Sequence, residues 1–409
     1  MRKQVRIILW LIWIPWAADA QQELNRYLEI AAENNPGLRA SFNEYMAALE
    51  VVPQAGSLPD PQVAFGYFIS PVETRVGPQR LKIGASQMFP WFGALDAREN
   101  VASQSARVKY ASFLEAKARL FNEVRSNFYD LYFNRSAIQL TRENLEILES
   151  FRELVRIRVE GGNVSAVDQY RVKMQIADME NQLALLLDQE QVLEVMFRNL
   201  LHAEEEMEII VPAVLWNRDI GLTKAQALDS ILQNNHQLRS IDLQNEVLAS
   251  REELAGKMGK PSFSVGLDYT VIGRGDQDLA GRDAFLFPKI GITIPLYRNK
   301  YKAMVKEVVL LQEAKQNEAS DRTNLLENLL EEAWRDYVDS DRRTDLYRKQ
   351  QELASRALKL LETEYTTGSE EFEEILRMER KLLNYGLELE KARSDKQAAI
   401  SFIHYLMGK

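Results

Sequence analysis

Twenty-one of the 31 glycines and prolines in this 409-residue chain fall inside two short windows, residues 53–93 and 256–295. Elsewhere these helix-stopping residues almost vanish. No proline occurs between Pro90 and Pro212 or after Pro295, and no glycine between Gly93 and Gly161, Gly162 and Gly221, or Gly291 and Gly368. Proline removes a backbone donor and clashes with the preceding turn, so its absence, with that of glycine, permits very long helices. The apolar spacing agrees: Leu148, Phe151 and Val155 in the first gap, Leu193, Met196 and Leu200 in the second, Leu326, Leu330, Ala333 and Tyr337 in the third. Residues 95–160 as one helix would run about 100 Å at roughly 1.5 Å per residue, too long for a compact globular domain. Strict a/d heptads are not sustained, which favours helices with neighbours on two sides over a simple coiled coil.

The chain reads as two copies of one unit. Residues 33–40 (ENNPGLRA) match residues 233–240 (QNNHQLRS) at an offset of 200, which also pairs Pro61 with Pro261 and Gly66 with Gly266. The offset slips to 207 at Ile83-Gly84 and Ile290-Gly291 and to 205 at Phe89-Pro90 and Ile294-Pro295. It then holds at 206 for Phe128 and Trp334, Asp130 and Asp336, Leu154 and Leu360, Gly162 and Gly368, and Leu200 and Leu406. A repeat this long is a duplicated half-protein, not a solenoid unit. The expected organisation is a first repeat over residues 21–202, a linker over 203–217 and a second repeat over 218–409.

Each Gly/Pro window reads as a β-hairpin, at about 62–89 and 262–294. In the first, Val63, Phe65, Tyr67 and Ile69 alternate with Ala64, Gly66, Phe68 and Ser70. A polar loop is expected at 71–79, after which Leu81, Ile83 and Ala85 alternate with Lys82, Gly84 and Ser86. In the second, Phe263, Val265, Leu267, Tyr269 and Val271 alternate with Ser264, Gly266, Asp268 and Thr270; Ile290, Ile292 and Ile294 alternate with Lys289, Gly291 and Thr293. One apolar face and one small or polar face suits a strand between lipid and water, although each strand alone would also fit a soluble hairpin. The N-terminus decides between them. Residues 1–20 combine a basic start with an apolar run from Ile7 to Trp16 and an Ala18-Asp19-Ala20 cleavage site, the pattern of a signal peptide removed on export. Four strands cannot close a barrel, and open edges cannot stand in lipid, so several copies of the chain must share one.

Composition excludes other functions. There is no cysteine, hence no disulfide, thiolate metal site, cysteine nucleophile or lipidated cysteine. His202, His236 and His404 stand far apart and read as helix-surface residues rather than metal ligands. With 51 Lys+Arg against 60 Asp+Glu and no basic cluster, nucleic acid is not an expected partner. No phosphate loop, serine nucleophile elbow or His/Asp/Glu cluster suggests an enzyme or a bound cofactor.

The order of short helix, long helix, hairpin, very long helix, glycine turn and shorter helix, all repeated, resembles the TolC-type outer-membrane efflux family. The likeness rests on Leu58-Pro59-Asp60-Pro61, Gln87-Met88-Phe89-Pro90-Trp91-Phe92-Gly93, Ile294-Pro295-Leu296-Tyr297 and two tips, residues 158–168 and 364–374. It implies a mainly α protein with a membrane β-barrel: a homotrimer with a twelve-stranded barrel continuing into a periplasmic α-barrel. It further implies docking on a periplasmic adaptor protein and an inner-membrane efflux pump, for instance one of the resistance-nodulation-division type. Arg158, Gly162, Ser165, Gly368 and Ser369 would be the adaptor-docking tip residues, near 161–168 and 367–374. Asp168 and Glu374 would line the pore constriction. Two positions depart from the family pattern: Arg377, where a second acidic residue is often found, and Glu364, in place of a tip arginine. The implied function is a passive exit duct for small toxic compounds or metal cations. A duct for polypeptide secretion shares the architecture, and a periplasmic coiled-coil adaptor is the reading from another class.

Overall fold

The computed structural model describes residues 15–162, 164–274, 281–367 and 372–409. Most of the expected signal peptide lies outside these residues, as do Gly368 and Ser369. The first repeat contains α1 (Pro15–Asn34), α2 (Pro36–Gly56), β1 (Gln62–Thr74), β2 (Gly77–Phe89), α3 (Ala94–Glu160) and α4 (Ala166–Leu201). The second contains α5 (Lys224–Asn234), α6 (His236–Met258), β3 (Ser262–Ile272), β4 (Ala284–Thr293), α7 (Arg298–Thr367) and α8 (Phe372–Leu406). The helices α3 and α7 run 67 and 70 residues, filling the stretches that lack proline and glycine. None of the described helices is long and apolar enough to cross a membrane.

Division in space does not follow division in sequence. One compact unit takes Met1–Ala40, Leu114–Asn235 and Thr323–Lys409; the other takes Ser41–Phe113 and His236–Arg322. Each therefore draws on both repeats. The first unit is helical apart from the linker. Tyr27, Phe128 and Phe197 meet in its interior, with Tyr27 edge-on to Phe197 at 5.1 Å. Burying such rings is worth roughly 1.5–3 kcal/mol each. The linker is fastened along its length: Arg135 donates to the Ile209 carbonyl at 2.6 Å, and the Ile210 amide donates to the Tyr27 hydroxyl at 2.8 Å. Further on, the Trp216 indole donates to Gln397 at 3.1 Å. The ammonium of Lys396, a residue only 2% exposed, reaches Asn217 at 2.8 Å, Asp219 at 2.6 Å and Asp341 at 2.7 Å. Burial alone would lower its pKa, but the two carboxylates outweigh that and hold it above the ordinary lysine value.

The duplication extends to single hydrogen bonds. The Asn35 amide donates to the Leu200 carbonyl at 3.0 Å, and the Asn235 amide donates to the Leu406 carbonyl at 2.9 Å. Each asparagine thus satisfies a carbonyl left open at the end of its own repeat's last helix. Both ends also fold back alike: Ala203 N–H bonds the Arg198 carbonyl and Lys409 N–H the His404 carbonyl, each at 3.0 Å, closing a Schellman turn. The left-handed residue in that turn is Gly408 in the second repeat, at φ 74°, but His202 in the first, at φ 49°.

The other unit holds one antiparallel sheet in the order β1-β2-β3-β4, with helical segments from α2, α3, α6 and α7. Register puts Phe65 opposite Ile83 and Ile83 opposite Tyr269, so apolar side chains share one face. That face is bare in the single chain: Phe65 is 74% and Ile69 93% exposed. The expected loop at 71–79 is instead mostly strand. β1 continues to Thr74 through an irregularity between Tyr67 and Val72, and β2 begins at Gly77. Proline is tolerated there because β1 is an edge strand and a bulge leaves an amide unpaired.

Candidate functional site

The helix tips are the site the sequence singles out, and they are built from glycine, a cap and crossed ion pairs. At the end of α3, Gly161 N–H bonds the Ile157 carbonyl and Gly162 N–H the Val159 carbonyl, both at 3.0 Å. Gly162 then turns left-handed at φ 71°. A Cβ added there would meet nothing within 4 Å, so the need for glycine is one of backbone conformation and not of space. Ser165 sits in extended backbone as the N-cap of α4, its hydroxyl accepting from Val167 N–H at 3.2 Å. Asp168 follows in the first turn, where a carboxylate complements the helix dipole.

The two tips are joined to each other. Arg158, at the end of α3, donates to the Tyr365 carbonyl at 2.7 Å and lies over the Tyr365 ring at 4.3 Å. A planar guanidinium can make both contacts at once, which a lysine ammonium cannot match. Tyr365 in turn packs on Phe372 at 5.4 Å, and Phe372 meets Phe151 edge-on at 5.9 Å. Beneath them Val155, Val172, Ile176, Leu358 and Ile375 form a common core from α3, α4, α7 and α8. Asp168 is buried, only 8% exposed, and binds Arg171 at 2.9 Å. The other nitrogen of Arg171 reaches Glu373 of α8 at 2.8 Å. Glu374 makes a close ion pair with Arg377. Since Asp168 and Glu374, and Arg171 and Arg377, are each 206 apart, the same acid–arginine pair stands at both tips.

Arg158 is thus brought onto the second hairpin, Asp168 is linked to it through Arg171, Gly162 and Ser165 shape the turn, and Glu374 stays at the surface of its own helix. Glu364 is exposed. Sequence reading missed Arg171 and Glu373, which carry no motif, and the pairing of Arg158 with Tyr365, the aromatic of the second tip. It also missed Glu379, only 2% exposed, which accepts from Asn144 at 2.7 Å between α3 and α8. Burial pushes its pKa up, the Asn144 hydrogen bond opposes the rise, and Glu362 adds to it. The histidines are scattered: His202 caps α4, His236 opens α6, and burial lowers the pKa of His404 in α8. Among the described residues no group of three or more His, Cys, Asp or Glu could hold a metal ion.

Residues 27–201 match the protein family described as outer membrane efflux protein. That match lies within the first repeat of this chain. Its fold extends the likeness over both repeats. A crystal structure of CusC superposes with a TM-score of 0.78 at 15% identity, covering 94% of this chain and 92% of that one. The outer membrane protein VceC of Vibrio cholerae gives 0.73 at 19% identity, with 96% and 98% covered. The CmeC outer membrane channel of Campylobacter jejuni gives 0.77 at 12% identity, with 100% and 94% covered. No curated protein sequence matches. The fold shared with these channels combines a four-stranded antiparallel sheet with very long helices.

Proposed function

We propose that three copies of this chain close a twelve-stranded barrel and together form the passive exit duct of a tripartite efflux system, conducting small toxic compounds or metal cations outward without catalysis. The observation that carries this reading is the sheet. Among the described residues it has four strands, one bare apolar face and two edges, β1 and β4, with no partner strand. Backbone groups facing lipid must all be paired, and only a closed barrel pairs them. The tips around Arg158, Gly162, Ser165, Gly368 and Ser369 would dock a periplasmic adaptor and, through it, an inner-membrane pump. Asp168 and Glu374 are assigned to the pore constriction, where Arg377 already offsets the charge of Glu374.

Membrane fractionation followed by mass measurement of the detergent-extracted protein tests the assembly: three chain masses from the outer membrane are expected, and a soluble monomer would overturn the duct. For the constriction, Glu374→Gln should leave three Arg377 guanidinium groups uncompensated. Reversal potentials in planar bilayers should then shift toward anions by about twofold in permeability ratio. An unchanged ratio would remove Glu374 from the constriction.

A further inference from the structure

The sheet carries a second charged constellation, away from the tips. Lys82 of β2 and Lys289 of β4 both reach Asp268 of β3, at 3.0 Å and 3.2 Å. All three lie on the face opposite the apolar one. Register places each of them directly across from a glycine: Lys82 opposite Gly66, Asp268 opposite Gly84, Lys289 opposite Gly266. The space is real, because a Cβ at Gly84 would come within 2.7 Å of Asp268 Oδ1, and one at Gly266 within 2.6 Å of the Ala85 carbonyl oxygen. Ser86, Ser264 and Gly291 fill neighbouring positions on the same face, and Leu286 of β4 stands across from Asp268.

The charges do not balance. Lys82 and Lys289 are the same position in the two repeats, 207 apart, as are Gly84 and Gly291. The position 200 before Asp268 is Phe68. Duplication thus supplied two ammonium groups and only one carboxylate to neutralise them. Asp268 is buried between the lysines, whose side chains stay 45% and 53% exposed with N–H donors to spare. Each chain presents one net positive charge on a floor of glycine and serine.

We propose that this triad is an anion-holding station in the barrel, where a phosphate- or carboxylate-bearing solute rests between the two lysines on its way through. The inference depends on the duct reading, which puts the polar face inside and brings three such triads into one ring. A ring of like charge in a narrow aqueous pore concentrates counter-ions.

Block of single-channel current by inorganic pyrophosphate added on the barrel side tests it. Lys82→Gln/Lys289→Gln should weaken the block about tenfold, losing two of the groups that hold the anion. Asp268→Asn should strengthen it, a change of opposite sign that mere loss of structure would not produce. The neutral triple variant Lys82→Gln/Asp268→Asn/Lys289→Gln avoids stranding a buried carboxylate and should be blocked less than wild type but more than the double lysine variant. Conducting channels with the same block in all these variants would overturn the station. Wild-type protein that never conducts would instead overturn the duct reading, and the station with it.

Discussion

The two repeats of this protein agree at their ends and part company in between. Asn35 and Asn235 perform the same bond to the last turn of their own repeat, yet Asn235 is buried and Asn35 partly open to solvent. Glu379 is buried against Asn144, whereas Lys173, 206 residues earlier, points to solvent. His202 holds the left-handed position that Gly408 fills in the other copy. Equivalent backbone geometry was kept where it closes each repeat, and side chains diverged where the copies face different surroundings. The difference teaches which interactions belong to the unit and which to its placement.

The comparison breaks most visibly at the asparagines. Asn235→Ala strands a buried carbonyl and should cost about 1–3 kcal/mol, against about 0.5–1.5 kcal/mol for Asn35→Ala, whose carbonyl water can reach. Thermal unfolding of the detergent-solubilised protein measures both; equal losses would show that the two bonds are energetically equivalent despite their different burial. Glu379 sharpens the contrast through pH. Its folded pKa lies above the unfolded value, so the unfolded chain loses its proton first and the native state weakens as pH rises. The loss should begin near the ordinary carboxylate value of about 4.5 and level off above the raised folded value. Glu379→Gln should flatten that part of the stability profile, gaining stability at neutral pH and none in acid; an unaltered profile would refute the assignment. The smallest effect is expected at the helix ends. Gly408→Ala should destabilise by about 1 kcal/mol, and His202→Gly should gain a few tenths at most, because relief at positive φ is offset by added freedom in the unfolded chain. Differential unfolding of the pair would resolve them.

Most of the architecture was legible because helix breakers and alternation act locally. The Gly/Pro windows hold the hairpins, the empty stretches hold α3 and α7, and the offsets of 200 and 206 together predict bonds such as Asn235 to Leu406 once the first is known. The loop expected at 71–79 failed because Pro71 was weighed without knowing that β1 is an edge. The site was legible only in its turn chemistry. Gly162 and Ser165 act through their own backbone neighbourhood, so their roles can be read from a few residues. Arg158 meeting Tyr365, or Arg171 meeting Glu373, joins residues about 200 positions apart, and no local pattern encodes such a pairing. The seating of Lys82, Asp268 and Lys289 on glycines was likewise hidden until register aligned three strands.

The linker has its own boundary. Its early part, Met207, Ile209 and Ile210, is held by Arg198, Arg135 and Tyr27, all from the first repeat. Its later part, Trp216 and Asn217, and the adjoining Arg218 and Asp219 are held by Lys396 and Gln397 from the second. The handover falls between Leu215, whose backbone still bonds Tyr132 of the first repeat, and Trp216. Severing the polypeptide there leaves every one of those hydrogen bonds inside a single fragment, with the Trp216–Phe128 ring contact as one of the links between the pieces. In the proposed trimer, a gene split at that point would give six half-length chains, the form such an assembly would take before its gene was doubled.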